Sequence, residues 1–177
     1  MSTRMFLIGL ALLTGVTARA NKGPADPTSD ADAAFARLKT LAGEWTADSD
    51  AGQERLSYEL MAGGTALVER ETAANRPAMM TLHHRDGDRL LLTHYCMAGN
   101  QPRMQARSYD PGTGELRFEF VDATNLASPG AGHMHNVTIR FVDRDHVDTE
   151  WQFFENGKAT MTERARYTRV RGRRLHA

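Results

Sequence analysis

Two short patterns carry the densest chemistry in this chain: His94-x-Cys96 and His133-x-His135. In an extended strand, residues two apart project from one face about 7 Å from each other, so each pattern offers a pair of donors to one side of a sheet. Imidazole and thiolate together suit zinc or copper, and thioethers from Met97, Met104 or Met134 would bias such a site toward Cu(I). His94, Cys96, His133 and His135 are therefore candidate metal ligands, with haem-type ligation as a variant. The competing chemistry is a set of interior polar groups that touch a ligand or bond to carbonyls, hydroxyls or water. Cys96 would then act as a small buried hydrophobe. Arg103, in Asn100-Gln101-Pro102-Arg103, offers a bidentate fork to an anionic group or belongs to a solvated hairpin turn. Asn125 lies in the connection 122–132, read either as a mouth loop over a ligand or as a loop held by its own turns. Glu69 and Glu71 share a strand face with Leu67 and could be internal, which alone is thin support for acid–base chemistry. The sequence has no Gly-x-Ser-x-Gly elbow, HExxH, P-loop or GxGxxG, so no catalytic residue is assigned.

These side chains must be positioned by strands. From Glu44 onward, apolar and polar residues alternate with period two, broken by turn signals such as Asp86-Gly87-Asp88, Asp110-Pro111-Gly112 and Asn156-Gly157. The pattern predicts strands near 44–49, 53–61, 65–73, 78–85, 89–97, 102–109, 115–121, 133–142, 146–154 and 159–169. Links this short exclude parallel crossovers. Ahead of them, Phe35, Leu38 and Leu41 form one apolar stripe, predicting a short helix over 33–41 that Asp30 or Asp32 caps and Gly43 ends, with Trp45 anchoring its end. The fold expected is all-β: about ten antiparallel strands in an up-and-down barrel behind one short N-terminal helix. Closure removes exposed edges and leaves a lumen wide enough for a small ligand.

Alternation then sorts the faces. Leu116, Phe118 and Phe120 face in, as do Val147, Thr149, Trp151 and Phe153. His133 and His135 share a face with Val137, Ile139 and Phe141, which turns both inward and Met134 outward. Leu90 and Leu92 are the more apolar pair of their strand, which turns His94 and Cys96 inward, whereas either His83 or His84 could point in. Ligand-binding candidates are thus His94, Cys96, His133, His135, Asn125, Arg103 and Trp151.

The 177 residues suffice for one domain with a proper core. Equal numbers of basic and acidic residues, 22 each, argue against general nucleic-acid binding. A single cysteine excludes an internal disulfide and any CxxC site. Met1 to Ala20 combines Arg4, an apolar run from Met5 to Val16 and Ala18-Arg19-Ala20, the pattern of a cleaved secretory signal peptide. The run is too short to span a bilayer and no second one follows, so the mature protein is expected without a membrane span, in the periplasm or secreted. Residues 21–29 read as a flexible leader, 30–170 as a single barrel domain and 171–177 as a basic tail. The function expected is binding of a small apolar or amphipathic ligand in the lumen. The alternatives are a copper-, zinc- or haem-binding protein that could be an enzyme, and an envelope protein with a filled lumen.

Leu38 to Trp45 (LKTLAGEW), with Gly43-Glu44-Trp45 at its end, resembles the opening of lipocalin-like (calycin) and fatty-acid-binding-like barrels. The segments LLLTHYCMAGNQPRM (90–104), FVDATNL (120–126) and HMH (133–135) are similar to those of an uncharacterised exported bacterial family with that fold. The related nitrobindins bind ferric haem through a histidine near their C-terminal end. Here the last strand, 159–170, contains no histidine, and only His176 lies beyond it.

Overall fold

The computed structural model describes residues 27–49 and 52–171. The segment 1–20, most of the leader, His176 and the tail beyond Arg171 lie outside the described residues. Helix α1, Pro27–Lys39, starts earlier than the apolar stripe alone implied, since proline is tolerated in a first helical turn. Phe35, Leu38 and Leu41 are buried as one stripe. The amides of Thr40, Leu41 and Ala42 each donate to the carbonyl three residues back, tightening the helix end. Trp45 Nε1 donates to the Leu41 carbonyl at 2.7 Å, tying that end to the first strand.

Ten antiparallel strands follow: β1 Gly43–Ser49, β2 Gly52–Met61, β3 Ala66–Ala73, β4 Arg76–Asp86 and β5 Arg89–Tyr95. The second half comprises β6 Gln101–Asp110, β7 Glu115–Thr124, β8 His133–Phe141, β9 His146–Glu155 and β10 Lys158–Arg169. Each pairs with its neighbours in sequence, and β1 pairs with β10 to close the barrel. The expected boundaries recur within a few residues. β5 stops at Tyr95, which leaves Cys96 in the following turn, and β7 runs on to Thr124, which shortens the connection to β8. The Asn156-Gly157 turn has positive φ at both residues (51° and 73°), as a two-residue hairpin requires.

The barrel is closed unevenly. β1 pairs with β2 from Gly43↔Tyr58 to Ser49↔Gly52. Against β10 it pairs only at Trp45↔Arg169 and Thr46↔Thr168, and beyond these the two strands part. α1 packs over β4, β5 and β6 and plugs one end. Its Phe35 and Leu38 join Trp45, Leu56, Leu92, Phe118 and Ile139 in one continuous core. Among the described residues, no helix is long and apolar enough to cross a membrane.

β8 departs from the expected alternation. A bulge between Met134 and Asn136 lets two residues of β8 oppose one of β9. Val137, Ile139 and Phe141 remain core residues, but Met134, expected outside, is buried and lines the lumen. The extra residue resets the period-two phase, which no count along β8 alone reveals.

Candidate functional site

At the end opposite α1, a cavity of about 850 Å³ opens beside the gap between β1 and β10. Its apolar walls include Met79, Met134 and Phe153, and its polar lining includes Glu54, Arg76 and Glu163. A narrow inner extension of about 10 Å³ continues toward Trp151 and His94, between Glu71, Thr149, Glu163 and Tyr167.

The polar side chains around this space come from four strands. Glu54 in β2, Glu71 in β3 and Glu163 in β10 converge on Arg76, the first residue of β4. Its guanidinium NH1 donates to Glu163 Oε1 at 2.6 Å, and NH2 reaches Glu54 Oε1 at 3.2 Å and is also bonded to Glu71. The Tyr167 hydroxyl donates to Glu54 Oε2 at 2.6 Å. Burial, only partly offset by Arg76 and reinforced by Glu69, Glu163 and Glu54, pushes the Glu71 carboxyl up to about 7. Burial, with further contributions from Glu71 and from the bond to Glu54, holds Tyr167 protonated at any ordinary pH.

Deeper in the lumen, His94 is 2% exposed. Its Nδ1 lies 2.9 Å from Thr81 Oγ1, its Nε2 has no hydrogen-bond partner, and its ring lies 4.8 Å from that of Trp151. Burial, against the pull of Glu69 and with His83 and Arg76 nearby, lowers it to about 4, so the ring is neutral near pH 7. His83 is fully buried, with Nε2 3.5 Å from Glu69 Oε2, while His84 is half-buried beside the Arg85 carbonyl. Burial alone would raise the Glu69 carboxyl, but His83 and Tyr58 outweigh it and hold the carboxyl below its ordinary range.

The structure does not gather His94, Cys96, His133 and His135 into one group. Cys96 sits half-buried at the cavity wall, where burial pushes its thiol up against the opposing effect of the Ala98 amide. His133 and His135 bond to each other at 3.0 Å between Nε2 and Nδ1. The His135 ring stacks between Phe120 and Phe154, with centroids at 4.8 and 4.1 Å. Among the described residues, the set of three potential metal-ligand side chains with ligand atoms within 4.8 Å of one another is Glu54, Glu71 and Glu163, and the Arg76 guanidinium already bonds to all three.

Arg103 is exposed and paired in bidentate fashion with Asp122, away from the cavity lining. Asn125 is exposed, with φ 55°, and donates to Gln101 Oε1 at 2.9 Å. Its loop is pinned at the far side, where Asn156 N donates to the Gly130 carbonyl and Asn100 Nδ2 to that of Gly132, both at 2.9 Å. Trp151 faces the lumen as expected.

Four groups escaped the sequence reading: Glu54, Arg76, Glu163 and Tyr167. The available signal was a carboxylate on an otherwise apolar alternation, Glu54 with Leu56 and Tyr58, and Glu163 with Ala165 and Tyr167. Arg76 stands in Asn75-Arg76-Pro77, which reads as a turn.

The sequence matches no family profile and no curated protein. Among solved structures, it is similar to the crystal structure of Rv2717c from M. tuberculosis, with a TM-score of 0.53 and 17% identity. The likeness covers 78% of this chain and 98% of that one. At this identity it speaks to architecture alone: this chain folds as a ten-stranded, antiparallel closed barrel.

Proposed function

We propose that this protein binds a small amphipathic molecule in its barrel lumen, entering where β1 and β10 part. The observation that carries the reading is the cavity of about 850 Å³ with thioether and aromatic walls and a few converging polar groups. Ligand sites have this composition, with apolar surface supplying burial and placed polar groups supplying orientation. Filling that space instead with protein would have required larger side chains at positions such as Ala165, which faces both the cavity and its inner extension. An exported location rests on the Met1–Ala20 pattern, and a mature N-terminus at Asn21 in protein recovered from its native compartment would establish it.

The test uses N-phenyl-1-naphthylamine, an uncharged apolar dye that brightens on leaving water. Saturable one-to-one binding is expected for the unaltered chain, and Ala165→Phe, which places a ring in the cavity, should abolish it. Absence of saturable binding, or equal binding by the Ala165→Phe variant, would overturn the reading.

A further inference from the structure

The lumen holds more buried carboxylates than cations, and it offers a buried imidazole nitrogen with no partner. Glu54, Glu71 and Glu163 share the single guanidinium of Arg76. Arg164 and Arg166 also line the outer cavity, but each is bonded elsewhere, Arg164 to Glu150 and Arg166 to Asp148. Asp48 adds a further carboxylate at the mouth. A carboxylate ligand would therefore meet like charge, with every nearby arginine already engaged. Beyond this cluster, the extension ends at His94. With Nδ1 held by Thr81, the polar atom His94 presents there is Nε2, buried and unpartnered. In the tautomer that donates from Nδ1 to Thr81 Oγ1, Nε2 is an acceptor, and a buried acceptor left unpaired is costly. Trp151 lines the same space, and an indole ring attracts cations at its face.

Size narrows the choice. The extension measures about 10 Å³, at the lower limit of about 10–15 Å³ that admits one water-sized group. A primary ammonium is that size and carries three donors, which His94 Nε2 and the Glu71 and Glu163 carboxylates can accept. A trimethylammonium is several times larger and has no donor. Resting on the lumenal-binding reading above, we infer that the ligand is a primary alkylamine, its ammonium seated in the extension among His94, Glu71 and Glu163 and its chain along Met79, Met134 and Phe153.

Four eight-carbon probes test this by calorimetry on the unaltered mature chain at pH 7.5: octylamine, octanol, octanoate and octyltrimethylammonium. Octylamine should bind at least about tenfold tighter than octanol, the scale of one charge-assisted hydrogen bond. Octanoate should not bind measurably, and octyltrimethylammonium should bind at least about tenfold more weakly than octylamine. Glu163→Gln should shrink the octylamine-to-octanol preference about tenfold. Octanol matching octylamine would assign the extension to a buried water and overturn the inference, as would octanoate or octyltrimethylammonium binding as tightly as octylamine. The naphthylamine dye separates the two readings. If the dye binds and the amine preference is missing, the ligand class falls and lumenal binding stands; if neither dye nor probes bind, both fall. The four-probe comparison needs no variant, so it decides the ligand class even where the Glu163→Gln chain fails to fold.

Discussion

At the helix end of the barrel, Phe35, Leu38, Leu41 and Trp45 pack in one apolar core with inward strand residues such as Leu56, Leu92, Phe118 and Ile139. At the other end, Glu54, Glu71, Arg76, His94, Glu163 and Tyr167 occupy equivalent inward positions around open space. The strands pass through both ends with the same alternation, so the difference lies in residue type and closure. The closed end gains from apolar burial, which needs no particular partner. The open end holds charges that are tolerable only as a bonded set, because an isolated buried charge is costly. Apolar burial is thus concentrated at one end and buried charge at the other.

Substitutions at the two ends should fail in different ways. Trp45→Ala removes the largest fully buried side chain and its bond to Leu41, and should cost about 4 kcal/mol in denaturant unfolding, with no dependence on pH between 5 and 8. Arg76→Met strips the counter-charge from three carboxylates. It should cost about 3 kcal/mol at pH 7.5 and recover much of this by pH 5, because the unpaired carboxyls take up protons and lose their charge. A pH-independent loss in Arg76→Met would mean that the cluster acts by packing alone, and the contrast between the ends would disappear.

His94 sharpens the comparison from the acid side. Its pKa is lowered from 6.5 to about 4 in the fold, so the unfolded chain binds its proton first. The stability of the neutral ring is fully present above about pH 6.5 and is lost as pH falls toward 4. Unfolding curves at pH 7 and pH 4 should therefore differ less in His94→Gln than in the unaltered protein, by roughly 2–3 kcal/mol. The smallest effect is expected at Arg103, fully exposed on its pair with Asp122. Arg103→Ala should leave both the melting temperature and dye binding within error; weakened dye binding would return this residue to the site.

Strand order, the apolar stripe on α1 and the Trp45 anchor were legible because each rests on local periodicity. The inward turn of His94 and Trp151 was legible for the same reason. On β8 the bulge at Met134–Asn136 shifts the phase by one residue and depends on how β9 pairs across it, so Met134, which alternation turned outward, joins the cavity lining. The short β7–β8 loop escaped because Asp122 and Thr124 are polar and 122–124 reads as turn, yet these residues pair with Gln101 to Arg103.

The residue pattern by itself determined an antiparallel meander long enough to close, with one short helix ahead of it and His94 on a lumenal face. It could not bring Glu54, Glu71 and Glu163 onto Arg76. Those residues meet because β10 returns to β1 and then parts from it after Thr46↔Thr168, leaving a gap at the end the helix does not cover. Alternation acts between neighbours two residues apart, so it is written along the chain. Ring closure, bulge phase and the sharing of one guanidinium among three strands depend on partners distant in sequence, and only the tertiary structure decides them.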